Sequence, residues 1–429
     1  MNVVILINFF IYLLQTVYCW KKHPNTIYFY FWLYFCIFAG ASVFIVSTGI
    51  YELRFYNLTH NRNLVITPYL ICFICVYMLL YPFKSLENSS LLLERKTLQK
   101  FTPLVKIICA VMVIYFLIKL YEYSLFSRYS ILERREMSVG GEGFVNRGRQ
   151  AVLWYSDFLL WMIHDITTPF LVLYMIQGYI RNLLSMKRFA FITLCVILPQ
   201  LLTFWITSNR SGIFYLIINL IFFSLIYKRY IPTRKFKKLI KYAVLFAVPF
   251  AIALSLISSV RYENSDISTQ NGIFSYFGES FPNLGSFVYD QNNRITMGAR
   301  LFPDYFNQIT GISFKIDGGL KSYHEFWTNY TGAYIHVFKT VFGDLYLEFG
   351  TYGAILVIAI IAILAYLAFK KNRNYFFRMG IVYLYICFCT NSVLDFGLIF
   401  GRFYVPRYVL GCFLLGIYIN KKYKLSNMS

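Results

Sequence analysis

Charged residues are scarce in this chain, and acidic residues are the scarcest. Only 14% of the 429 residues are charged and 58% are hydrophobic, whereas soluble domains contain roughly 25% charged residues. The sequence shows no soluble second domain. Apolar runs of about 17 to 25 residues, the length that a bilayer core requires, recur along the whole chain. The sequence therefore predicts an all-α polytopic membrane protein.

Several other features are missing. There is no tandem repeat and no low-complexity tract, and only five histidines occur. Neither DxD nor HExxH is found in the segments predicted to lie outside the membrane, so we predict no bound metal and no cofactor. Cys72 and Cys75 have CxxC spacing, but they lie in an apolar run without a second ligand pair, which predicts small buried side chains. No basic region precedes the first apolar run and no cleavage site follows it, so we expect the N-terminus to be retained.

Eleven apolar segments predict about eleven transmembrane helices. They fall at residues 2–20, 27–50, 64–83, 104–126, 152–180, 189–207, 211–227, 242–259, 338–369, 377–396 and 404–420. The chain then divides into helices 1 to 8 with short loops (1–259), one large loop (260–336) and the last three helices (337–429). The large loop is the one long segment that cannot be buried in lipid.

The distribution of basic residues orients these segments. With the N-terminus outside, 24 Lys and Arg fall on one side and 16 on the other, and the richer side is cytoplasmic by the positive-inside rule. Topology thus accounts for the net charge of +22, and we predict no nucleic-acid partner. The large loop is then outside. Of the cytoplasmic basic residues 17 are lysine, whereas 13 of the outer ones are arginine.

An excess of outer arginine favours an anionic ligand, because the guanidinium fork matches phosphate oxygens two at a time. Pairing with the outer carboxylates is the alternative. Arg210 lies in the short turn TSNRSG between two apolar segments, at a helix start whose free amides also favour an anion. The alternative there is an arginine that reaches out to lipid headgroups. For Arg261 the alternative is a local pair with Glu263.

Few other side chains suggest chemistry. His324 and His336 lie in the outer region, and either could accept a proton near neutral pH or be structural. His164 adjoins Asp165 inside an apolar segment, where a functional group and a hydrogen-bonded structural pair are both open. Asp344 and Glu348 share a helix face in VFGDLYLEFGTYG. In the same segment Gly350 and Gly353 would allow close approach of another helix or a lipid chain. Aromatic residues of the large loop either form an interfacial belt or stack on sugar rings.

The chain resembles the bacterial oligosaccharide repeat-unit polymerases, the O-antigen (Wzy-type) polymerase family. The resemblance rests on about eleven helices, a large late outer loop and arginine-rich outer faces. It also rests on TSNRSG, on the Arg–x10–Gly spacing of Arg261 and Arg300, and on GDLYLEFGTYG. It implies a glycosyltransferase similar to the GT-C class in the bacterial plasma (inner) membrane. The substrates would be oligosaccharides on undecaprenyl pyrophosphate, with membrane lipid and a chain-length regulator protein as partners.

The resemblance and the charge pattern together select the candidate site residues. The catalytic candidates are Arg210, Arg261, His336 and His324, and the substrate-binding candidates are Arg294, Arg300, Arg402, Arg135 and Glu348. The arginines would stabilise the departing pyrophosphate, and a histidine or a carboxylate would take the proton of the acceptor hydroxyl. An O-antigen ligase-like transferase and a flippase for lipid-linked oligosaccharides remain alternatives. A flippase would show an internal repeat and charged residues at the bundle centre.

Overall fold

All regular structure in the described part of the chain is helical. The computed structural model describes residues 2–55, 64–87, 91–130, 133–134, 151–206, 210–241, 252, 255, 269–290, 293–312, 314, 319–335, 337–370, 374–394 and 404–423, and for some residues of α7 and of the start of α9 it describes the backbone only. The backbone alone is likewise described at 2, 269–270, 273, 304–305, 319–321 and 404. The described residues contain no β-strand, which confirms the predicted all-α class.

Sixteen helices can be numbered in the described ranges. The first nine are α1 (Asn2–Lys22), α2 (Ile27–Ser47), α3 (Ile50–Phe55), α4 (Thr67–Leu80, continued by a 3-10 turn to Leu86), α5 (Arg95–Lys100), α6 (Thr102–Phe126), α7 (Ala151–Ile180), α8 (Met186–Ile206) and α9 (Arg210–Leu225). The others are α10 (Thr269–Gly278), α11 (Ser280–Asn283), α12 (Pro303–Thr310), α13 (Gly319–Thr331), α14 (Thr340–Lys370), α15 (Tyr375–Asn391) and α16 (Tyr404–Tyr423).

Seven of the described helices are long and apolar enough to cross a membrane: α1, α2, α4 with its 3-10 turn, α6, α7, α8 and α14. Ten of the eleven predicted apolar segments coincide with a helix, and the eleventh, 242–259, lies outside the described residues except for 252 and 255. A multi-pass helical membrane protein is therefore confirmed. The full count of eleven spans and the GT-C-like arrangement stay predictions.

The chain forms two compact units that are discontinuous in sequence. The first contains Met1–Glu87, Arg261–Leu367 and Cys387–Val405, and the second contains Asn88–Val260, Ala368–Ile386 and Pro406–Ser429. The three-part linear division predicted from the sequence describes the order of the segments. Packing follows other boundaries, because the first unit combines early helices with the large loop and most of α14.

In the first unit, α2 and α10 pack at unusually close range. A Cβ atom on Gly278 would lie 2.7 Å from the carbonyl oxygen of Ala41, so only glycine fits. The hydroxyl of Ser42 donates to the carbonyl of Gly278 at 2.6 Å, which satisfies a carbonyl at the end of α10. The aromatic rings of Tyr12 on α1 and Phe281 on α11 also pack together, with their centroids 5.4 Å apart. Part of the large loop is thus built into the packed interior of this unit.

In the second unit, α6, α7 and α8 pack against one another. Pro169 lies inside α7 and Pro199 inside α8. A proline within a helix removes one backbone hydrogen bond and favours a kink. The backbone hydrogen bonding of two neighbouring helices in this unit is therefore interrupted.

The predicted burial of Cys72 and Cys75 is confirmed. Eight of the nine cysteines are buried, and Cys387 is partly buried. Cys72 and Cys75, the pair with CxxC spacing, are among the buried ones and lie in the first unit. Both are small, buried side chains of α4, as the apolar run around them predicts.

Helix α14 is broken near its start. Gly350 has φ 69° and ψ −175°, which is outside any helical conformation, so the element consists of residues 340–349 and 351–370. Such a backbone is open essentially to glycine alone. The second piece has 20 residues, enough to cross a bilayer core. The first piece carries Asp344 and Glu348 and contributes both carboxylates to the site described next.

Candidate functional site

Four charged side chains are buried together where the large loop meets α14. They are Lys339, Asp344 and Glu348 around the first piece of the helix and Arg300 from the loop, and none is more than 7% exposed. A guanidinium Nη2 of Arg300 lies 3.0 Å from Oδ1 of Asp344, and its Nε lies 2.9 Å from Oε1 of Glu348. Lys339 Nζ lies 3.3 Å from the same oxygen of Asp344. We call these four residues the charged cluster.

The loop closes around Glu348. The hydroxyl of Thr296 donates to the carboxylate Oε2, while the amides of Thr296 and Met297 donate to the carbonyls of Leu347 and Glu348 at 2.9 and 2.8 Å. Those two carbonyls would otherwise be unpaired, because the break at Gly350 ends the helix ladder there. Residues 296 to 300 therefore cap the end of the first helical piece and hold the Glu348 carboxylate at the same time.

Positive φ angles make this tight closure possible. Met297 and Gly298 have φ 53° and 92°, so the chain turns sharply here, between the Met297 amide that donates to the Glu348 carbonyl and the side chain of Arg300. The Gly298 amide hydrogen-bonds to the Glu348 carboxylate. The carboxylate is thus received by a hydroxyl, an amide and a guanidinium.

Lys339 secures the other end of the first helical piece. Its ammonium donates to the carbonyls of Ile335 and Val337 at 3.2 and 3.1 Å in addition to its contact with Asp344. The backbone amides of Lys339 and Thr340 both donate to the carbonyl of Leu394 at 2.9 Å. The start of α14 is therefore fixed by the residues that follow α15, and the lysine leaves no donor idle.

The cluster is electrically balanced, with two cations and two carboxylates. Burial lowers the pKa of Arg300, but the charges of Asp344 and Glu348 more than offset this, so its pKa lies above the ordinary value. The Nε–Oε1 contact to Glu348 is a charge pair rather than an aligned hydrogen bond. Removing several ions from water costs several kcal/mol for each, and close pairing recovers that cost. Removal of a single member would leave another buried charge without its partner.

Helix α13 is attached to the cluster through Tyr323. The phenol donates to the carbonyl of Arg300, and burial raises the pKa of Tyr323 to about 12, so it stays a donor at neutral pH. One turn further along α13, Trp327 is buried at 1% exposure. Phe326 and Tyr330 lie on the exposed side, and their rings are stacked with nearly parallel planes, at an interplanar angle of 13°. The helix thus presents aromatic rings outward while its inner face is held by the charged cluster.

A second ion pair ties the same unit together. Arg54 on α3 contacts both carboxylate oxygens of Glu279, at 2.9 and 3.3 Å, and Glu279 is 1% exposed. Next to it, the amide of Asn283 donates to the carbonyl of Phe338 at 2.9 Å. The sequence left open that arginines predicted to lie outside pair with carboxylates, and Arg54 and Arg300 both do so.

The structure brings four of the predicted site residues into one neighbourhood. Arg300 and Glu348 are in direct contact, and His324 follows Tyr323 on α13, partly exposed. Arg294 has an exposed side chain, and its amide donates to the carbonyl of Thr331 at the end of α13 at 3.0 Å. Arg210 is the first residue of α9 in the other unit, where only its backbone is described. The remaining candidates lie outside the described residues: Arg261, His336, Arg402 and Arg135.

Sequence reasoning missed Lys339, Thr296 and the role of Gly350. Lys339 was counted only as one of the outer basic residues, although a lysine five residues before a carboxylate at the start of an apolar helix could have suggested a buried pair. Thr296 carries no signal of its own. Gly350 was predicted to allow close approach of another helix or a lipid chain, yet the nearest heavy atom that a Cβ at this position would meet is Ile295 Cγ2, at 3.9 Å. Its described role is the backbone break.

The site offers fixed hydrogen-bond donors, an exposed arginine and a partly exposed histidine beside aromatic rings. Across the described ranges, no group of three or more His, Cys, Asp or Glu could hold a metal ion; the predicted metal independence itself awaits its test. No family model, no curated protein and no solved structure matches the chain. Its function is therefore inferred from the residues themselves.

Proposed function

We propose that the chain is a membrane glycosyltransferase that joins oligosaccharide repeat units carried on undecaprenyl pyrophosphate into a surface polysaccharide. In this proposal the reaction takes place on the outer face of the bacterial plasma membrane. The observation that carries it is the charged cluster, which fixes a loop with a partly exposed histidine, an exposed arginine and aromatic rings to the start of a membrane helix. Buried charges are expensive and gather at functional sites more often than elsewhere.

The chemistry assigns a role to each part of the site. A hydroxyl of the acceptor repeat unit attacks the anomeric carbon of the donor, the bond from that carbon to the pyrophosphate oxygen breaks, and the pyrophosphate leaves with the bonding electrons. The hydroxyl proton passes to a base, for which His324 is the described candidate and His336 the other. Fixed cations aimed at the leaving group stabilise the charge that develops on it.

Arg294 is the described cation best suited to contact substrate, because its side chain is exposed. Arg210 and Arg261 complete the predicted set for the pyrophosphate, with Arg135 and Arg402 as further binding candidates. The charge of Arg300 is already matched by two carboxylates. In this proposal Arg300 and Glu348 hold α13 in place, and a direct contact of either with substrate stays a prediction.

The membrane part fits a lipid-linked substrate. Along the second piece of α14 the side chains of Leu356, Ile360, Ile363 and Leu367 are each at least 48% exposed. An apolar stripe of this kind faces lipid in a membrane helix, and a polyprenyl chain has the same chemistry as the lipid tails. The reacting headgroup would then lie at the predicted outer end of α14, next to the break at Gly350.

The proposal is tested with purified protein in lipid nanodiscs, supplied with a lipid-linked repeat unit and analysed by mass spectrometry. We expect products that grow by whole repeat units. His324→Ala and Arg294→Met should each slow this reaction, and Glu348→Gln should reduce it through loss of the cluster. Glu87→Gln, whose carboxylate pairs with His23 at 2.9 Å elsewhere in the unit, is the matched control and should react normally.

The alternatives give different products. A ligase-like enzyme would transfer the glycan only when a different acceptor is supplied. A flippase would form no new bond, yet would move the intact lipid-linked unit across the membrane of a proteoliposome. Either result, in a preparation whose folding is verified by size-exclusion chromatography, would contradict polymerisation.

A further inference from the structure

A polar cluster joins α6, α7 and α8 of the second unit, within helices that are long and apolar enough to cross a membrane. At its centre is His164 on α7, 2% exposed. Its Nε2 lies 2.8 Å from the carbonyl oxygen of Val196 on α8. Its Nδ1 lies 3.1 Å from Nε2 of Gln200 and 3.4 Å from Oδ1 of Asp165. Ionisable groups at such depth are rare and are functional candidates by default.

Both helices are interrupted by proline at this level. Pro169 follows Asp165 by four residues, and Pro199 follows Val196 by three. Proline has no amide hydrogen and cannot pair with the carbonyl four residues before it. The carbonyls without this partner are those of Asp165 and Cys195, and the carbonyl that His164 contacts, Val196, is next to the second of them. Helices interrupted in this way can bend.

The hydrogen bonds of His164 require a neutral ring, and the neighbouring groups also allow a protonated one. A carbonyl only accepts, so Nε2 of His164 carries a hydrogen, and the Gln200 amide can donate to Nδ1 only while Nδ1 is unprotonated. The same Gln200 nitrogen lies 3.4 Å from Oδ1 of Asp165. If Nδ1 gains a proton, it can donate to Asp165, and Gln200 can turn to the same carboxylate. In both protonation states the ring nitrogens of His164 have hydrogen-bond partners, and the backbone does not have to move.

We propose that His164 and Asp165 form a proton-binding site inside the membrane-spanning part of the second unit. One proton from water binds to Nδ1 of His164, and the product is an imidazolium–carboxylate pair that Gln200 continues to support. The gain is electrostatic, because an ionised carboxylate among apolar helices is stabilised by an adjacent positive charge. Nothing in this proposal depends on the glycosyltransferase assignment.

The surroundings contain other charges, and most of them are paired. Tyr115 on α6 has its ring centroid 5.8 Å from that of His164, and the Lys119 ammonium lies 5.5 Å from the Tyr115 ring. Lys119 forms a 3.0 Å ion pair with Glu122, so these two add no net charge. Cys195 on α8 hydrogen-bonds to Cys109 on α6. Tyr215 on α9 and Arg407 on α16 are further described titratable or charged groups on helices packed against α7.

The test is nitrogen-15 NMR of histidine-labelled protein in bilayers. The His164 signals are those missing from the His164→Gln spectrum. Through-space transfer from the Gln200 side-chain nitrogen, 3.1 Å away, assigns them without any substitution if that variant does not fold. Spectra are recorded from alkaline to acidic pH, and we expect a neutral ring with the hydrogen on Nε2 at the alkaline end and an imidazolium at the acidic end.

Two variants separate a proton site from a merely structural histidine. Asp165→Asn should keep the neutral ring with its hydrogen on Nε2 but remain neutral over the whole range, since the charge that stabilises the imidazolium is gone. Glu122→Gln, which removes a carboxylate from α6 instead, should convert as the unchanged protein does. The proposal is overturned if His164 stays neutral throughout in the unchanged protein, or if Asp165→Asn converts like it.

Discussion

Replacing Arg300 with methionine gives the most demanding test of the charged cluster. Methionine fills similar space but leaves the carboxylate of Glu348 without its cation, and Asp344 with Lys339 alone. Removing one partner of a buried pair costs about 3 to 5 kcal/mol, because the remaining charge stays desolvated. Glu348 is 0% exposed and Asp344 2% exposed, so solvent screening does not reduce this figure. We expect most of the loss to come from Glu348.

The loss should appear as a lower apparent melting temperature. At roughly 2 °C or more for each kcal/mol, Arg300→Met should melt at least about 6 °C below the unchanged protein, measured by size-exclusion chromatography after heating in detergent. Unfolding of such proteins is usually irreversible, so all variants are heated at one fixed rate. Arg294→Met is the matched control: it removes an exposed arginine of the same loop segment and should melt normally.

A second substitution identifies the cause. In the Arg300→Met background, Glu348→Gln removes the unpaired charge while its amide can still hydrogen-bond to Thr296. The double variant should regain much of the lost stability and exceed Arg300→Met alone, a coupling typical of residues in direct contact. If Arg300→Met melts normally, or if the double variant is less stable than Arg300→Met, then the pairing described here does not stabilise the fold.

Four further outcomes follow from the same geometry and from the sequence. Gly350→Ala places a side chain at φ 69° and ψ −175°, a backbone region that costs of order 1 to 3 kcal/mol, so it should lower the melting temperature, whereas Leu356→Ala, at an exposed position of the same element, is the comparison and should melt normally. Arg210→Lys keeps the charge but loses the two-pronged fork; if Arg210 stabilises the pyrophosphate, glycan assembly should fall roughly 10²-fold, with surface glycan reduced to single repeat units and normal protein levels. Activity should survive EDTA, and a loss restored by Mg²⁺ or Mn²⁺ would refute metal independence. Met297→Cys should react with an impermeant maleimide in intact spheroplasts, and labelling only after lysis would reverse the predicted orientation.

The helices could be predicted because their signal is local. An apolar run of about 20 residues has few alternatives to a membrane helix, and ten of the eleven predicted segments coincide with described helices. The shared face of Asp344 and Glu348 was equally accessible, since residues four apart in a helix are neighbours. Local periodicity suffices for both inferences.

The partner of those carboxylates could not be predicted in the same way. Arg300 precedes Asp344 by 44 residues, and Arg54 precedes Glu279 by 225. Such pairs are made by tertiary packing, and a sequence with 41 basic and 19 acidic residues allows very many of them. The break at Gly350 was hidden for a related reason. Hydropathy continues through it, and the loop residues that satisfy the freed carbonyls are distant in sequence.

Arginine pairing in the first unit changes how the outer arginines should be interpreted. The sequence offered two explanations for their excess, an anionic ligand or carboxylate partners. Arg54 and Arg300 each contact a buried carboxylate, so their charges already have partners and their immediate role is to hold the loop against the helices. Arg294 differs because its side chain is exposed. In the proposed function an anionic substrate contacts Arg294, while the paired arginines keep α13 and its histidine in position; roles of Arg210 and Arg261 stay predictions from the sequence.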